Sequence, residues 1–153
     1  LEAERQIQTH LKNYLIVRTC EVFGKEKSGK NFVARLILDN KMKKSRKIPR
    51  DQFGNPTHVY NLTELIFDLI SQNEIGIYNI SGAETINRFN FATHIAEMFG
   101  LDRSLIFEVA TKDIDYLAPR PLHCGLILDK LRQKTTIHIM NTQEGLQAMQ
   151  KEQ

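Results

Sequence analysis

The 153-residue chain has no tryptophan, two cysteines and four prolines, and none of its apolar runs approaches the ~20 residues a membrane-spanning helix requires. Cys20 and Cys124 form no Cys-x-x-Cys pair and need no partner, which fits a reducing cytoplasm. His10, His58, His94, His123 and His138 show no pairing at metal-ligand spacing, so no metal site is expected. No Gly-x-Ser-x-Gly elbow and no phosphate-binding loop is found, so no catalytic residue can be named. No stretch resembles a signal peptide, and a cytoplasmic location without a membrane partner is expected. Internal repeats, low-complexity tracts and a linker rich in Pro, Gly or Ser are missing too.

What is present describes an ordinary globular domain. The chain is 41% hydrophobic and 25% charged, which argues against disorder. At this length one domain buries roughly 70% of its unfolded surface. The formal net charge is only +3, yet six of the 21 basic residues lie within residues 41–50. That run holds no acid and no aromatic, whereas nucleic-acid sites interleave stacking rings or present a recognition helix. It reads as a solvated connection leading into a short strand, and no nucleic-acid partner is expected.

Apolar spacing divides the chain into alternating helices and strands. Residues 1–12 read as the end of a helix, with Ile7 and Leu11 at helical spacing. Tyr14 to Val17 is a continuous apolar run, the pattern of a parallel strand buried on both faces. Asn31 can cap a helix to about Asp39, with Phe32, Val33, Leu36 and Ile37 inward. Residues 51–57 read as a loop whose Gly54 and Pro56 forbid regular structure. Asn61 is expected to cap a helix with Leu62, Leu65, Ile66 and Leu69 inward. A strand follows at residues 76–80, a helix at 88–99 ended by Gly100, a short strand at 106–110, and a last helix capped by Thr142. His94 falls on the polar side of its helix. The class is α/β with mainly parallel pairing.

A series of motifs adds a resemblance. Leu15-Ile16-Val17-Arg18-Thr19, Phe23-Gly24, Asn31-Phe32-Val33, Asp51-Gln52-Phe53-Gly54-Asn55-Pro56-Thr57, Gly76-Ile77-Tyr78-Asn79-Ile80 and Ala118-Pro119-Arg120-Pro121 follow in order. Together they resemble the carboxyl-terminal half of the dTDP-4-dehydrorhamnose reductase branch of the extended short-chain dehydrogenases. The resemblance runs from Leu1 to about Arg132, and the segment 51–57 is its most distinctive motif.

It implies the carboxyl-terminal part of a Rossmann-like parallel sheet interleaved with a small substrate-binding subdomain, the substrate side mainly in residues 24–60 and 100–135. The implied activity is NAD(P)-dependent reduction of a nucleotide-activated 4-keto-deoxysugar. The family's glycine-rich cofactor loop and its Tyr-x-x-x-Lys pair would precede Leu1, so the chain alone is expected to be inactive. A non-catalytic regulatory subunit resembling the methionine adenosyltransferase beta subunit stays open, as does a sugar-nucleotide epimerase or dehydratase. So do the choice between NADP and NAD and a homodimer of the full-length protein.

Ligands of an open parallel sheet collect beyond the carboxyl ends of its strands. Thr19 and Cys20 follow such an end and are the candidates for bordering the nicotinamide, although Thr19 also suits a turn cap. Glu21, Asn31, Gln52, Thr57 and Arg120 are the candidates for substrate binding. Asn31 opens a helix whose free N–H groups favour an anion such as a diphosphate, and it is equally a good cap. The Gln52 amide suits a sugar or nucleotide hydroxyl. Thr57 either shares that role or ties its loop to its own backbone. Arg120 is the candidate for holding the diphosphate with its planar fork. Glu21 stands where these reductases usually carry tryptophan, so a substrate more polar at that edge is expected.

Overall fold

Four two-stranded sheets, three of them parallel, carry the β structure of the computed structural model, which describes residues 1–152. The apolar run at residues 14–17 becomes β1 (Leu15–Arg18), after α1 (Glu2–His10). β1 pairs in parallel with β6 (Gly76–Asn79), Ile16 opposite Ile77 and Val17 opposite Tyr78. Between them α3 (Val59–Ser71) crosses over, burying Leu65 and Leu69 against Tyr78, Ile80 and Leu131 of α5 (Asp129–Arg132). Each such fully buried apolar side chain contributes roughly 1.5–3 kcal/mol.

A second cluster gathers Val33 and Leu36 of α2 (Phe32–Lys41), Ile48 of β3 (Arg46–Pro49), Phe91 and Ile95 of α4 (Arg88–Phe99), and Leu146 of α6 (Thr142–Lys151). β3 pairs in parallel with β8 (Ile106–Val109). The α/β class with mainly parallel pairing is therefore what the chain adopts.

Several local expectations are corrected. Leu15, Ile16 and Val17 are only half-buried, because β6 is the one strand beside β1 among the described residues. The helix expected over residues 1–12 is present as α1, with Ile7 and Leu11 37% and 53% exposed. Gly54 and Pro56 do not forbid regular structure. β4 (Phe53–Gly54) runs antiparallel to β7 (Ile86–Asn87), and β5 (Thr57–His58) runs parallel to β2 (Val22–Phe23). Pro56 falls between these pairs, where its missing N–H interrupts no ladder.

Asn31 caps α2 as expected, its Oδ1 accepting from the Ala34 N–H at 3.0 Å. Asn61 does not cap α3, whose cap position is His58. The Asn61 amide instead donates to the His138 carbonyl at 2.8 Å and accepts from the Met140 N–H at 2.9 Å, so the same polar chemistry ties two segments. Thr142 is the first residue of α6, and Asn141 caps it in a reciprocal box with Glu144. Gly100 ends α4 in the left-handed conformation.

Gly82 has the tightest backbone approach. A Cβ there would lie 2.1 Å from the Pro56 carbonyl oxygen. That closeness lets the Gly82 N–H donate to the Thr57 hydroxyl at 3.2 Å and locks the 55–57 turn against the loop after β6.

Candidate functional site

The start of α2, strand β3, the first residue of α4 and residues 114–116 enclose a cleft of about 440 Å³. Lys30, Arg35, Arg46, Lys47 and Arg88 line it, together with Phe32 and Tyr116, and no lining residue is acidic. Three of the cations are engaged from behind. Arg46 pairs with the buried Asp39, Arg35 Nε donates to the Gly29 carbonyl at 2.7 Å, and Arg88 meets Glu21 at 2.7 Å while lying over the Phe32 ring at 4.2 Å. The Lys30 and Lys47 ammonium groups have no hydrogen-bond or salt-bridge partner in the protein among the described residues. An enclosed surface of this sign attracts an anion, and a phosphate group suits both lysine and arginine donors.

A polar relay leads from the distinctive segment 51–57 to the rim of this cleft. Asp51 accepts from the Thr111 hydroxyl at 2.6 Å and from its N–H at 2.9 Å. These donors, the hydroxyl foremost, hold the Asp51 carboxyl below its usual range. Gln52 Nε2 donates to Thr111 Oγ1 at 3.2 Å and Tyr116 Oη at 3.4 Å. The Arg120 guanidinium lies over the Tyr116 ring at 5.5 Å from its centroid. Gln52 and Arg120, far apart in sequence, thus meet at Tyr116.

Glu21 meets the cleft through Arg88 and does not itself line it. Its backbone takes a positive φ of 48°, uncommon for a residue with a side chain. Burial pushes its carboxyl upward, and the Arg88 charge and hydrogen bond oppose that rise. Gly54 leaves room for it, since a Cβ there would approach the Glu21 carboxylate to 2.8 Å.

The other sequence candidates have different surroundings. Asn31 lines the cleft, but its side chain is engaged as the α2 cap and in a 2.9 Å bond to the Gly24 carbonyl. The backbone N–H groups of Lys30 and Asn31 both donate to Glu26, so the chain's own carboxylate occupies part of that anion seat. The Ser28 hydroxyl, with those N–H groups, holds the Glu26 carboxyl down at about 2. Thr57 is buried and ties its loop, donating to the Cys20 carbonyl at 2.7 Å or the Asn55 carbonyl at 2.9 Å. The Cys20 thiol bonds to the Asn55 backbone, whereas Thr19 is exposed just beyond β1. None of these last three lines the cleft.

Sequence reading missed Lys30, Arg35, Arg46, Lys47, Arg88 and Tyr116. One signal is present in the basic run at residues 41–50, which reads as solvated surface from the sequence alone. Residues 41–45 are indeed exposed, but β3 turns Arg46 and Lys47 onto the cleft wall.

A parallel α/β unit beside a cation-lined cleft describes a domain suited to phosphorylated ligands. The chain belongs to the family described as the RmlD substrate binding domain, which matches residues 1–153. Over 123 residues it is 32% identical to the spore coat polysaccharide biosynthesis protein SpsK of Bacillus subtilis, covering 80% of this chain and 42% of that protein. The crystal structure of dTDP-4-dehydrorhamnose reductase from Bacillus anthracis in complex with NADP superimposes with a TM-score of 0.88 at 27% identity, over 98% of this chain and 52% of that one. The dTDP-glucose 4,6-dehydratase of the same organism, in complex with NAD, shares the fold alone, with a TM-score of 0.76 at 14% identity over 97% and 47% of the two chains. This chain spans about half the length of these relatives.

Proposed function

We propose that the chain is the substrate side of an NAD(P)-dependent reductase of a nucleotide-activated 4-keto-deoxysugar, and that the cation-lined cleft receives the nucleotide diphosphate. The observation that carries this is the acid-free wall with two unpaired ammonium groups, Lys30 and Lys47. Arg120 closes over the same ligand from the Tyr116 rim, and Gln52 steadies Tyr116. The lining falls at residues 30–49 and 114–116, with Arg88 added from α4, and so lies mainly within the proposed substrate side at 24–60 and 100–135.

Glu21 and Asn31 complete the substrate set, with Thr57 acting through the loop it ties. Arg88 takes Glu21 Oε1, leaving Oε2 without a hydrogen-bond partner among the described residues as an acceptor for a sugar hydroxyl. That supports a substrate polar at this edge.

For the cofactor, the exposed Thr19 side chain beyond the parallel strand β1 fits a nicotinamide edge. Cys20 fits less directly, because its thiol is already engaged by Asn55. When bound, NADP or NAD supplies the hydride; this chain's residues position the sugar nucleotide beside it.

The test is calorimetric titration with a dTDP-hexose, comparing the wild type with Lys47→Ala and Arg120→Ala. A charge-assisted hydrogen bond contributes roughly 1.5–3 kcal/mol. Each variant should therefore bind about 10- to 150-fold more weakly, at ~1.4 kcal/mol per decade. Wild-type affinity in both variants would refute the cleft as the diphosphate site.

A further inference from the structure

We infer that Cys20 and Cys124, scattered in sequence, form a thiol pair that a peroxide oxidant converts into an intramolecular disulfide. The inference rests on one strand edge and does not depend on the proposed function. Phe53 N–H donates to the Leu122 carbonyl at 2.7 Å, and Cys124 N–H donates to the Phe53 carbonyl at 2.8 Å. This is a parallel register, with Phe53 opposite His123. The next bond of such a ladder would run from the Asn55 N–H to the Cys124 carbonyl. The Asn55 N–H instead donates to Cys20 Sγ at 3.3 Å, and the same thiol donates back to the Asn55 carbonyl at 3.4 Å. Cys20 Sγ therefore occupies the ladder position next to Cys124.

A disulfide requires Cα atoms ~4.4–6.8 Å apart. Both cysteines lie along one edge of residues 53–55, Cys124 bonded to Phe53 and Cys20 to Asn55. Asn55 Oδ1 also accepts from the Leu126 N–H at 2.8 Å, holding the segment after Cys124 to the same edge.

The two thiols are free and differ in access, Cys124 exposed and Cys20 half-buried. Cys124 Sγ has one weak contact, to the Pro121 carbonyl at 3.9 Å, which leaves its rotamer free to turn towards Cys20. Burial raises the Cys20 thiol pKa, and the nearby Cys124 thiol adds a smaller rise. Cys124 is thus the first to react. Its thiolate sulfur takes one peroxide oxygen, giving Cys124 sulfenic acid and hydroxide. The Cys20 sulfur then displaces the sulfenic oxygen; the S–S bond forms, the S–O bond breaks and water leaves with the Cys20 proton. The product clamps residues 121–126, adjoining Arg120, to the loop after β1.

The experiment treats the 153-residue chain with hydrogen peroxide, blocks remaining thiols with N-ethylmaleimide and maps tryptic peptides by mass spectrometry. The expected product joins peptides 19–25 and 113–130, runs as a monomer on a non-reducing gel and reverts with dithiothreitol. Both thiols should disappear together. Recovery of both cysteines as maleimide adducts, Cys124 sulfinic acid as the main product, or a Cys124–Cys124 dimer would each overturn the inference. A second arm uses Cys20→Ser, in which a sulfenic acid at Cys124 should persist and be trapped by dimedone. Equal trapping in wild type and variant would also overturn it.

Discussion

Arg88→Ala is the most informative perturbation of the site's scaffold, because Arg88 joins three parts of it. Its guanidinium meets Glu21 at 2.7 Å and covers the Phe32 ring at 4.2 Å, and its backbone N–H, at the start of α4, donates to the Gln52 carbonyl at 2.9 Å. Truncation removes a charge-assisted hydrogen bond of roughly 1.5–3 kcal/mol. It also removes a cation–π contact of about 0.5–1 kcal/mol. The paired side chains are 31% and 24% exposed, so solvent screening brings the combined loss to about 2–3 kcal/mol. Urea unfolding should show it as a midpoint lowered by roughly 1–2 M.

The effect of Arg88→Ala depends on pH. The Glu21 carboxyl is raised above 4.5 in the folded protein, mainly by burial, against the lowering by Arg88. The folded state therefore holds the Glu21 proton more tightly than the unfolded chain does. Its contribution to stability is fully present below 4.5 and is lost as pH rises through the folded value. Without Arg88 that folded value climbs further and the loss deepens. Arg88→Ala should thus be more destabilising at pH 7 than at pH 4, and Glu21→Gln in the same background should restore part of the difference. An equal destabilisation at both pH values would refute the coupling of Glu21 to Arg88.

Three further outcomes are expected. Thr57→Val should cost about 1–3 kcal/mol in urea unfolding, because the Gly82 N–H loses its buried acceptor, while affinity for a nucleotide sugar stays within about twofold. Asn31→Ala should cost about 0.5–2 kcal/mol through loss of the α2 cap, checked the same way. Glu26, held down at about 2, contributes order above 4.5 that is lost as pH falls towards 2, so the protection of the Lys30 and Asn31 amides, taken relative to their intrinsic exchange rates, should fall across that window.

The elements legible in the sequence were those written by local pattern. The run ending at Val17, the spacing of Leu65 and Leu69, the Asn31 cap and the Gly100 stop each depend on a few neighbouring residues. Asn61 falls elsewhere because a capping side chain chooses among nearby backbone groups and its long-range partners His138 and Met140 decide the choice. Thr142 is displaced by one residue because its neighbour Asn141 forms the local capping box with Glu144. The cleft was harder to see. Lys30, Lys47, Arg88 and Tyr116 come from four separated segments, and only the packing of α2, β3 and α4 brings them to one wall. His58 shows the same limit, since nothing local marks a histidine 3% exposed and lying 5.7 Å from both Phe23 and Tyr60. The resemblance points to Gln52 and Arg120 separately; their meeting at Tyr116 is a long-range fact.

The most direct test of the account is a crystal structure of the chain with a dTDP-hexose. The diphosphate should lie within hydrogen-bond reach of the Lys30 and Lys47 ammonium groups, with Arg120 turned towards it from Tyr116. A diphosphate found elsewhere, such as in the groove lined by His94, Glu97 and Gln150, would contradict the central claim.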